Sequence, residues 1–467
     1  MKEELIDKLK KYCDLDVVPM HMPGHKRKSV DKSIPYEYDI TEIDGFDNLQ
    51  SPNGILKESM DYATSVFGGK GTFYSVNGST GGIMGAIRAI TKSGDKVIVA
   101  RNCHKSVYNA IELCSLNSVF VMPDIDKETG IVGSLNPKQL EKVIEDNKDA
   151  VCVILTNPTY EGVLSDIKTI SKLCHKNNMI LIVDGAHGAH LFLEDKSAVK
   201  YADITIQSLH KTLPSLTQTA IVSYNGNLID EKKLQDQINV FQSTSPSYIL
   251  LSSIDSCVHF LAEHGKEYYD NLKRNIDILS KKLKKLKNLV VLSYGNDKKH
   301  KSFYDFDRTK IVVSSSRANI TGYKLMDILR EKYKIECEMA YEDEVVLLTS
   351  IFDEKNDFER VLFALLEIDQ TLTFEKKENV FLCEIPSRKL PSHVCFNMEK
   401  ELVELDKAQG KVCGDYVYVY PPGIPILVPG EVISDEIIRQ MKGIQKLGFG
   451  VKMNSREMEN TINVIKF

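Results

Sequence analysis

Short apolar runs alternate with amphipathic segments between about residue 55 and residue 225, and this alternation constrains the fold more than any other feature of the chain. Such an alternation is typical of a mostly parallel sheet that helices cover on both faces. The runs that we interpret as strands are Phe73–Val76, Val97–Val99, Val119–Met122, Val151–Leu155, Ile180–Val183, Ile204–Ile206 and Ala220–Val222. The sequence therefore predicts an α/β fold with a mostly parallel seven-stranded sheet.

Polar residues follow several of these predicted strands. Crossover connections gather the carboxyl ends of parallel strands at one edge of a sheet, and open α/β sheets bind their ligands at that edge. The residues that we expect there are Ser79, His104, Thr156, Asp184 and Lys211. The sequence therefore predicts a ligand site formed by the carboxyl ends of the strands.

Lys211 stands just after the predicted strand Ile204–Ile206, and Pro214 stops any regular element behind it. An amine at a strand end can form a Schiff base with the aldehyde of a cofactor. Ser208 and His210 are close enough in the chain to reach phosphate oxygens of the same cofactor. Because a lone lysine is more often a solvated loop residue, the interpretation depends on two further motifs.

These motifs are an aspartate at a strand end and a glycine-rich turn. Asp184 ends a buried apolar run, and a carboxylate there can keep a pyridine nitrogen protonated. Residues 72–82 lead from a predicted strand through a Gly/Ser/Thr-rich turn into an apolar helical segment, residues 83–90. The free backbone N–H groups of the turn can bind a phosphate at the amino terminus of this helix. Together with the Ser-x-His-Lys motif, they predict pyridoxal 5′-phosphate (PLP) as the cofactor.

Eight segments resemble the ornithine/lysine/arginine decarboxylase family. They are His21–Lys26, Asn77–Thr80, Arg101–Ser106, Asn157–Tyr160, Asp184–His190, Gln207–Thr212, Ser243–Tyr248 and Tyr420–Pro425. The chain is similar to the shorter bacterial members, which lack an amino-terminal wing domain. The resemblance implies the fold-type I architecture of PLP-dependent transferases, with smaller α+β domains toward the carboxyl terminus. It also implies decarboxylation of a basic L-amino acid (arginine, lysine or ornithine) to an amine and CO2.

The resemblance further implies roles for residues around the cofactor. His104 stacks on the cofactor ring, and His187 lies near its phenolic oxygen. The residues that reach the phosphate are Ser79, Thr80, Ser208, His210, Thr244 and Ser245, the last two from a partner subunit. The resemblance therefore predicts a homodimer, or a larger homo-oligomer, with shared active sites. We expect Lys211, His104 and Asp184 to be the catalytic residues.

Three departures from the family's pattern bear on the substrate. Gly185 and His393 each replace an acid, and Glu161 stands where a tyrosine is common. Burying a cationic substrate end without an anion is costly, so the pocket must supply a carboxylate or several carbonyls. The acids that remain for this role are Asp44, Asp47 and Glu161, the first two in an irregular segment, residues 17–54. By resemblance this segment lies across the dimer interface. We expect arginine or lysine to be preferred to ornithine.

Length and breaks in the pattern indicate several domains. A chain of 467 residues can bury more than one core. The predicted parts are an N-terminal helix and interface segment (1–54), a PLP-binding large domain (55–300), a small α+β domain (301–373) and a C-terminal domain (380–467). Polar, charged breaks at residues 294–302 and 374–379 separate the last three. In the small domain we predict strands at 309–314 and 344–349 and helices at 323–332 and 358–368.

Composition argues against several other classes of protein. A net charge of −5 does not suggest a nucleic-acid partner. The ten cysteines form no Cys-x-x-Cys pair, so we expect reduced thiols and no metal site. No apolar run is long enough to span a membrane, and the charged amphipathic amino terminus does not resemble a signal peptide. We therefore expect a cytoplasmic enzyme whose partner is a small-molecule amino acid.

Two other functions stay open at this point. One is a different PLP reaction, such as transamination or cyclisation. Aminotransferases of this fold generally hold the substrate carboxylate with an arginine of the small domain, and Arg317 and Arg388 are candidates. The other is a non-catalytic binding protein, which the presence of both Asp184 and Lys211 disfavours.

Overall fold

The structure is a computed structural model that describes residues 3–15, 17–126, 129–292, 300–375, 377, 385–419, 424–446, 451–454 and 456–467. Its helices are α1 (Leu5–Cys13), α2 (Ile55–Phe67), α3 (Gly78–Ile90), α4 (Lys105–Leu113), α5 (Pro137–Glu145), α6 (Ile167–Lys176), α7 (Leu209–Thr212), α8 (Glu231–Val240), α9 (Tyr248–Leu283), α10 (Gly322–Tyr333), α11 (Lys355–Thr371), α12 (Ser392–Phe396) and α13 (Asp435–Lys446). Short 3-10 helices span Tyr36–Tyr38, Ala189–Glu194, Ala198–Lys200 and Leu405–Lys407.

The strands are β1 (Gly71–Ser75), β2 (Lys96–Ala100), β3 (Asn117–Val121), β4 (Ala150–Thr156), β5 (Val163–Leu164), β6 (Ile180–Asp184), β7 (Ile204–Ser208), β8 (Ala220–Tyr224), β9 (Val290–Leu292), β10 (Asp305–Phe306), β11 (Lys310–Ser314), β12 (Met339–Ala340), β13 (Glu344–Leu348), β14 (Lys400–Glu404), β15 (Val417–Val419), β16 (Ile424–Leu427), β17 (Val451–Met453), β18 (Arg456–Glu457) and β19 (Thr461–Ile465).

A seven-stranded sheet has the strand order β1-β8-β7-β6-β4-β2-β3. Strand β2 pairs in parallel with β3 and β4, and β6 pairs in parallel with β7. Strand β8 runs antiparallel to both of its neighbours, β1 and β7. All seven predicted strands are present, with ends within a few residues of those expected. The predicted α/β fold with a mostly parallel seven-stranded sheet is therefore confirmed.

Strands β6 and β7 carry the motifs that the sequence singles out. Both are buried over nearly their whole length. Strands covered on two faces are usually apolar runs without alternation. Strand β6 is such a run up to Asp184, whereas β7 also buries Thr205, Gln207 and Ser208. The parallel register pairs Asp184, the last residue of β6, with Ile206 of β7. Asp184 therefore lies beside the end of the strand that leads within a few residues to Lys211.

Helix α3 needs glycine for packing as well as for its first turn. Gly78, where the helix begins, has a φ of +66°, which favours glycine. A Cβ at Gly82 would lie 2.7 Å from Cγ2 of Val222 in β8, and a Cβ at Gly85 would lie 2.7 Å from Cα of Ile238 in α8. Larger residues would push α3 away from the sheet and from α8. The glycines of this segment thus allow the close packing of α3.

Contacts between residues divide the chain into two compact units. The first unit comprises Met1–Ile90 and Ile180–Asn271, and the second comprises Thr91–Met179 and Leu272–Phe467. In the second unit, an antiparallel sheet of order β12-β13-β11-β9 contains the two strands predicted for the small domain, and α10 and α11 match the two predicted helices. Smaller sheets join β10 with β5, β14 with β19, and β16-β15-β17-β18.

The predicted domain limits at residues 54, 300 and 373 stay predictions. Parts of the predicted breaks, residues 294–299, 376, 378 and 379, lie outside the described residues, as do residues 420–423 of the last family motif. Within the described ranges, no helix is both long enough and apolar enough to cross a membrane.

A buried ion pair in the second unit joins the start of one family motif to the carboxyl-terminal part of the chain. The guanidinium of Arg101 donates to both carboxylate oxygens of Glu431 at 2.8 Å and to the carbonyl of Ile426 at 3.0 Å. The N–H of Val428 donates to the same carboxylate. A buried ion pair is tolerated when hydrogen bonds satisfy its remaining polar atoms, whereas removing one partner is strongly destabilising. The pair therefore fixes the turn that precedes His104.

In the first unit, Asp47 caps helix α2 from within the irregular segment 17–54. Its carboxylate accepts hydrogen bonds from the N–H groups of Asn48, Asn53, Gly54, Leu56 and Lys57, at 2.7 to 3.3 Å. Burial by itself raises the pKa of Asp47, but the N–H donors outweigh it and the pKa is lowered. Asp47, which we predicted to hold a substrate cation, thus has its carboxylate bound by backbone N–H groups.

We expect Asp47→Asn to lower the free energy of unfolding by about 1 kcal/mol at pH 7, because an amide N–H₂ would face backbone donors. A lowered pKa contributes stability above the ordinary carboxyl pKa that is lost as the pH falls, so the difference should shrink in acid. Asp44, which is exposed, supplies the matched control. The free energy of unfolding, measured by urea denaturation, should be the same for Asp44→Asn as for the wild type. Equal stability of Asp47→Asn and wild type would contradict the capping role.

Candidate active site

Lys211 lies in α7, a short helical turn that directly follows β7. Its Nζ is 3.0 Å from Nε2 of His187. His187 is buried and follows β6 by three residues, so the two side chains meet because β6 and β7 are neighbours. The strand order therefore brings together two residues that are 24 positions apart in the sequence.

Asp184 is a buried carboxyl close to the same lysine. Its side chain is 3% exposed and accepts a hydrogen bond from the N–H of Ala186 at 3.1 Å. Burial raises the pKa of Asp184, although the charge of Lys211 and the Ala186 N–H act in the opposite direction. A buried acid with a perturbed pKa beside a lysine is typical of a functional site. Gly185, which replaces the family's acid, is buried next to it.

Ser208 and His210 flank this group on the lysine's own segment. The Ser208 hydroxyl is fully buried, and no described residue forms a hydrogen bond with it. Nδ1 of His210 lies 2.9 Å from the carbonyl of Thr219, which can only accept, so Nδ1 carries the proton. Burial, and then the charge of Lys211, lower the pKa of His210. Because Nδ1 is bonded to Thr219, Nε2 is the ring nitrogen of His210 that a ligand could contact.

The turn predicted to bind phosphate forms the amino-terminal end of α3. Ser79 and Thr80 stand in the first turn of this helix, where backbone N–H groups have no acceptor within the helix. The carbonyl of Gly78 accepts from the Ser75 hydroxyl at 2.8 Å, and the N–H of Gly81 donates to the Asn77 carbonyl. The helix dipole and the backbone N–H groups of the first turn that have no acceptor within the helix suit an anion. This turn belongs to the same compact unit as Asp184 and Lys211.

His104 lies in the second unit, at the amino-terminal cap of α4. Nδ1 of its ring accepts from the N–H of Ser106 at 3.3 Å and lies 2.9 Å from the Ser106 hydroxyl. The helix-cap role is therefore observed, and stacking of His104 on a cofactor ring stays a prediction.

Thr244 and Ser245 are exposed residues between α8 and α9. The N–H of Ser245 donates to the hydroxyl of Ser243 at 3.2 Å. Exposure of these side chains agrees with a role toward a partner subunit, which stays a prediction.

Glu161 forms a buried acidic group with two residues that the sequence did not single out. Its Oε1 accepts from the Tyr341 hydroxyl at 3.2 Å. Burial raises the pKa of Glu161, and burial together with the charge of Glu161 raises the pKa of Glu344. Within the described part of the chain, neither carboxyl forms an ion pair with a lysine or arginine. Sequence reasoning missed Glu344 because it is an ordinary strand residue in β13.

Arg388 and Arg317 are the two arginines that could bind a substrate carboxylate in an aminotransferase. Arg388 donates to the hydroxyl and the carbonyl of Ser118 and lies over the ring of Phe120. Arg317 is exposed. His393, which replaces the family's acid, lies 3.3 Å from the Leu116 carbonyl. The engagement of Arg388 in the second unit gives no support to transamination.

Known proteins resemble the chain over nearly its whole length. The family described as Orn/Lys/Arg decarboxylase, major domain, matches residues 4–311, and the corresponding C-terminal domain matches residues 388–449. The arginine decarboxylase of Bacillus subtilis is 32% identical over 98% of this chain and 96% of its own length.

Solved structures show the same fold. The lysine decarboxylase of Francisella novicida has a TM-score of 0.85 over 99% of this chain and 81% of that chain, at 19% identity. A ureidoglycine-glyoxylate aminotransferase from Bacillus subtilis has a TM-score of 0.53 over 68% of this chain and 84% of its own, at 15% identity. These likenesses confirm the predicted fold-type I architecture of PLP-dependent enzymes. Because the family matches residues 4–311 and a relative of nearly equal length is 32% identical, the chain belongs to the Orn/Lys/Arg decarboxylase family.

Proposed function

We propose that this protein decarboxylates a basic L-amino acid (arginine, lysine or ornithine) with PLP as its cofactor. The observation that carries the proposal is the meeting of Lys211 and His187 beside the buried Asp184, in a chain of the Orn/Lys/Arg decarboxylase family. The named activities of relatives, arginine decarboxylase and lysine decarboxylase, support a basic substrate.

The polar groups of the first unit fit PLP. Lys211 offers an amine for the cofactor aldehyde, and Asp184 offers a carboxyl for the ring nitrogen. The buried Ser208 hydroxyl, which has no partner within the described residues, offers a donor for the phosphate, as do Ser79 and the amino terminus of α3. A buried hydroxyl without a partner costs free energy, and a phosphate oxygen would offset that cost.

When bound, PLP supplies an electron sink for the electrons of the breaking bond between the α-carbon and the carboxylate. Asp184 would hold a proton at the ring nitrogen of bound PLP, because the cationic ring would favour the carboxylate form that burial disfavours. His187 orients the amine of Lys211 through their 3.0 Å contact. Lys211 then delivers the proton that replaces CO2 at the α-carbon.

Glu161 and Glu344 support the choice of a cationic substrate. Two buried carboxyls whose pKa values are raised, chiefly by burial, and that pair with no described lysine or arginine, would be stabilised as anions by an ammonium or guanidinium group. Glu161 is therefore our preferred candidate for the distal substrate group. Asp44 remains a second candidate, whereas the carboxylate of Asp47 is engaged in capping α2.

Exposed apolar residues in the amino-terminal segment support a dimer. Val18, Met20, Met22 and Val30 are 64% to 89% exposed, which is unusual for neighbouring apolar side chains of one segment. A second subunit would cover them, and the exposed Thr244 and Ser245 would then complete the partner's phosphate site. A cytoplasmic location and a role in polyamine biosynthesis are further parts of the proposal.

Purified protein supplied with PLP should release CO2 and the matching amine from arginine or lysine faster than from ornithine. It should be far slower on leucine and glutamate. Lys211→Ala should lose several orders of magnitude in activity, and borohydride should attach the cofactor to Lys211 in the wild type alone. Label on another lysine would sink the cofactor assignment. Fastest turnover of a neutral or acidic amino acid, or a keto acid formed without CO2, would overturn the substrate assignment.

Asp184→Asn should separate function from stability. A raised pKa favours folding where the carboxyl is protonated, and this contribution is lost as the pH rises. The apoprotein of Asp184→Asn should therefore melt at a higher temperature than wild type at pH 8, by an amount that shrinks toward pH 5, while activity falls by several orders of magnitude. Asp203→Asn is the matched control. Asp203 is also buried and its carboxylate also accepts a backbone N–H, that of Leu181, but it precedes β7 at the end opposite to Lys211, so Asp203→Asn should reduce activity far less than Asp184→Asn.

Subunit mixing tests the shared site. Lys211→Ala chains and Thr244→Ala/Ser245→Ala chains should each be inactive, and a mixture should regain part of the wild-type activity, because some mixed dimers hold one intact site. A mixture of Lys211→Ala with Asp184→Asn, which damage the same site, is the control that should stay inactive. Absence of recovery after proven subunit exchange would indicate self-contained sites.

A further inference from the structure

Gln218 joins the segment that carries Lys211 to the turn at the start of α3. Its side-chain Nε2 donates to the carbonyl of Val76 at 2.8 Å. Its backbone carbonyl accepts from the N–H of Gly78 at 2.9 Å. These two bonds lie just beyond the last paired residues of β1 and β8, Ser75 and Ala220. Gln218 thus continues the contact between the two segments where the regular strand pairing stops.

The backbone of Gln218 is held in a conformation that glutamine rarely adopts. Its φ is +82°, in the region that favours glycine. A residue persists in such a conformation only when the surroundings determine it, and such residues cluster at ligand sites. Here the hydrogen bonds with Val76 and Gly78 hold the backbone of Gln218 in this conformation.

The two segments that Gln218 connects both carry groups assigned to the cofactor phosphate. On one side, the neighbouring residue Thr219 accepts from Nδ1 of His210, one residue before Lys211. On the other side, Gly78 precedes Ser79 and the free N–H groups of α3. The position of Gln218 therefore sets the spacing between the Lys211 segment and the amino terminus of α3.

We propose that Gln218 is a positioning residue that holds the amino terminus of α3 at the distance from Lys211 that a phosphate-bearing aldehyde requires. This inference rests on the proposed use of PLP. It assigns no contact between Gln218 and the cofactor. The requirement concerns the phosphate end alone, because the lysine and Asp184 are fixed by β6 and β7.

The test compares two ligands that differ only in the phosphate. Apoprotein is titrated with PLP and with pyridoxal, and Kd values are measured from the absorbance change on binding. Gln218→Met keeps the length and neutrality of the side chain but removes the N–H donor. We expect this variant to raise the Kd for PLP by about tenfold, the equivalent of one lost hydrogen bond, and to leave the Kd for pyridoxal within about twofold.

A second variant gives a readout that general damage would not produce. Gln218→Gly removes the amide and relieves the backbone at φ +82°, so its apoprotein should melt at or above the wild-type temperature while its Kd for PLP rises. Gln445→Met is the matched control. Nε2 of Gln445 also donates to backbone carbonyls, those of Met458 and Glu459, but in the C-terminal part of the chain. It should leave both Kd values unchanged.

Equal losses of affinity for PLP and pyridoxal, or no loss for either, would overturn the role of Gln218. A lower melting temperature of Gln218→Gly that accompanies its loss of PLP affinity would also count against it. Failure of the wild-type apoprotein to bind PLP would instead refute the proposed cofactor, so the two proposals fail separately.

Discussion

Parallel pairing between β6 and β7 is the interaction on which the candidate site depends. The pairing aligns Asp184 with Ile206, and it places His187 and Lys211 on the segments that follow two neighbouring strands. Apolar burial holds these strands, because almost every residue in them is inaccessible to solvent. The polar groups therefore take their positions from the sheet and need few bonds with one another.

The same edge of the sheet carries a cost in stability. Asp184 is buried with a raised pKa, the Ser208 hydroxyl is buried without a partner in the described chain, and Gln218 has a backbone conformation that glutamine disfavours. Burying such groups unsatisfied opposes folding. By contrast, hydrogen bonds satisfy the buried Arg101–Glu431 pair, and backbone N–H groups satisfy the Asp47 carboxylate. If the proposed cofactor binds here, its cationic ring would pair with Asp184 and its phosphate would accept from the Ser208 hydroxyl.

The sequence by itself determined the sheet and the centre of the site. Short apolar and β-branched runs predicted all seven strands, because buried strands of a parallel sheet are rich in such residues. The strand-end positions of Asp184, Ser208 and Lys211 were readable for the same reason, since they directly follow those runs. The family was also readable, because its motifs are short segments whose residue types a single chemistry requires together.

Only the tertiary structure decided which polar residue meets which. Nothing in the sequence distinguishes Asp47, a helix cap, from Asp44, and the acid that accompanies Glu161, Glu344, comes from a strand far along the chain. The bonds of Gln218 likewise join segments well over a hundred residues apart. Such pairings depend on chain crossings and on backbone conformation at single residues. Periodicity reports burial and local structure, so it carries no record of these long-range contacts.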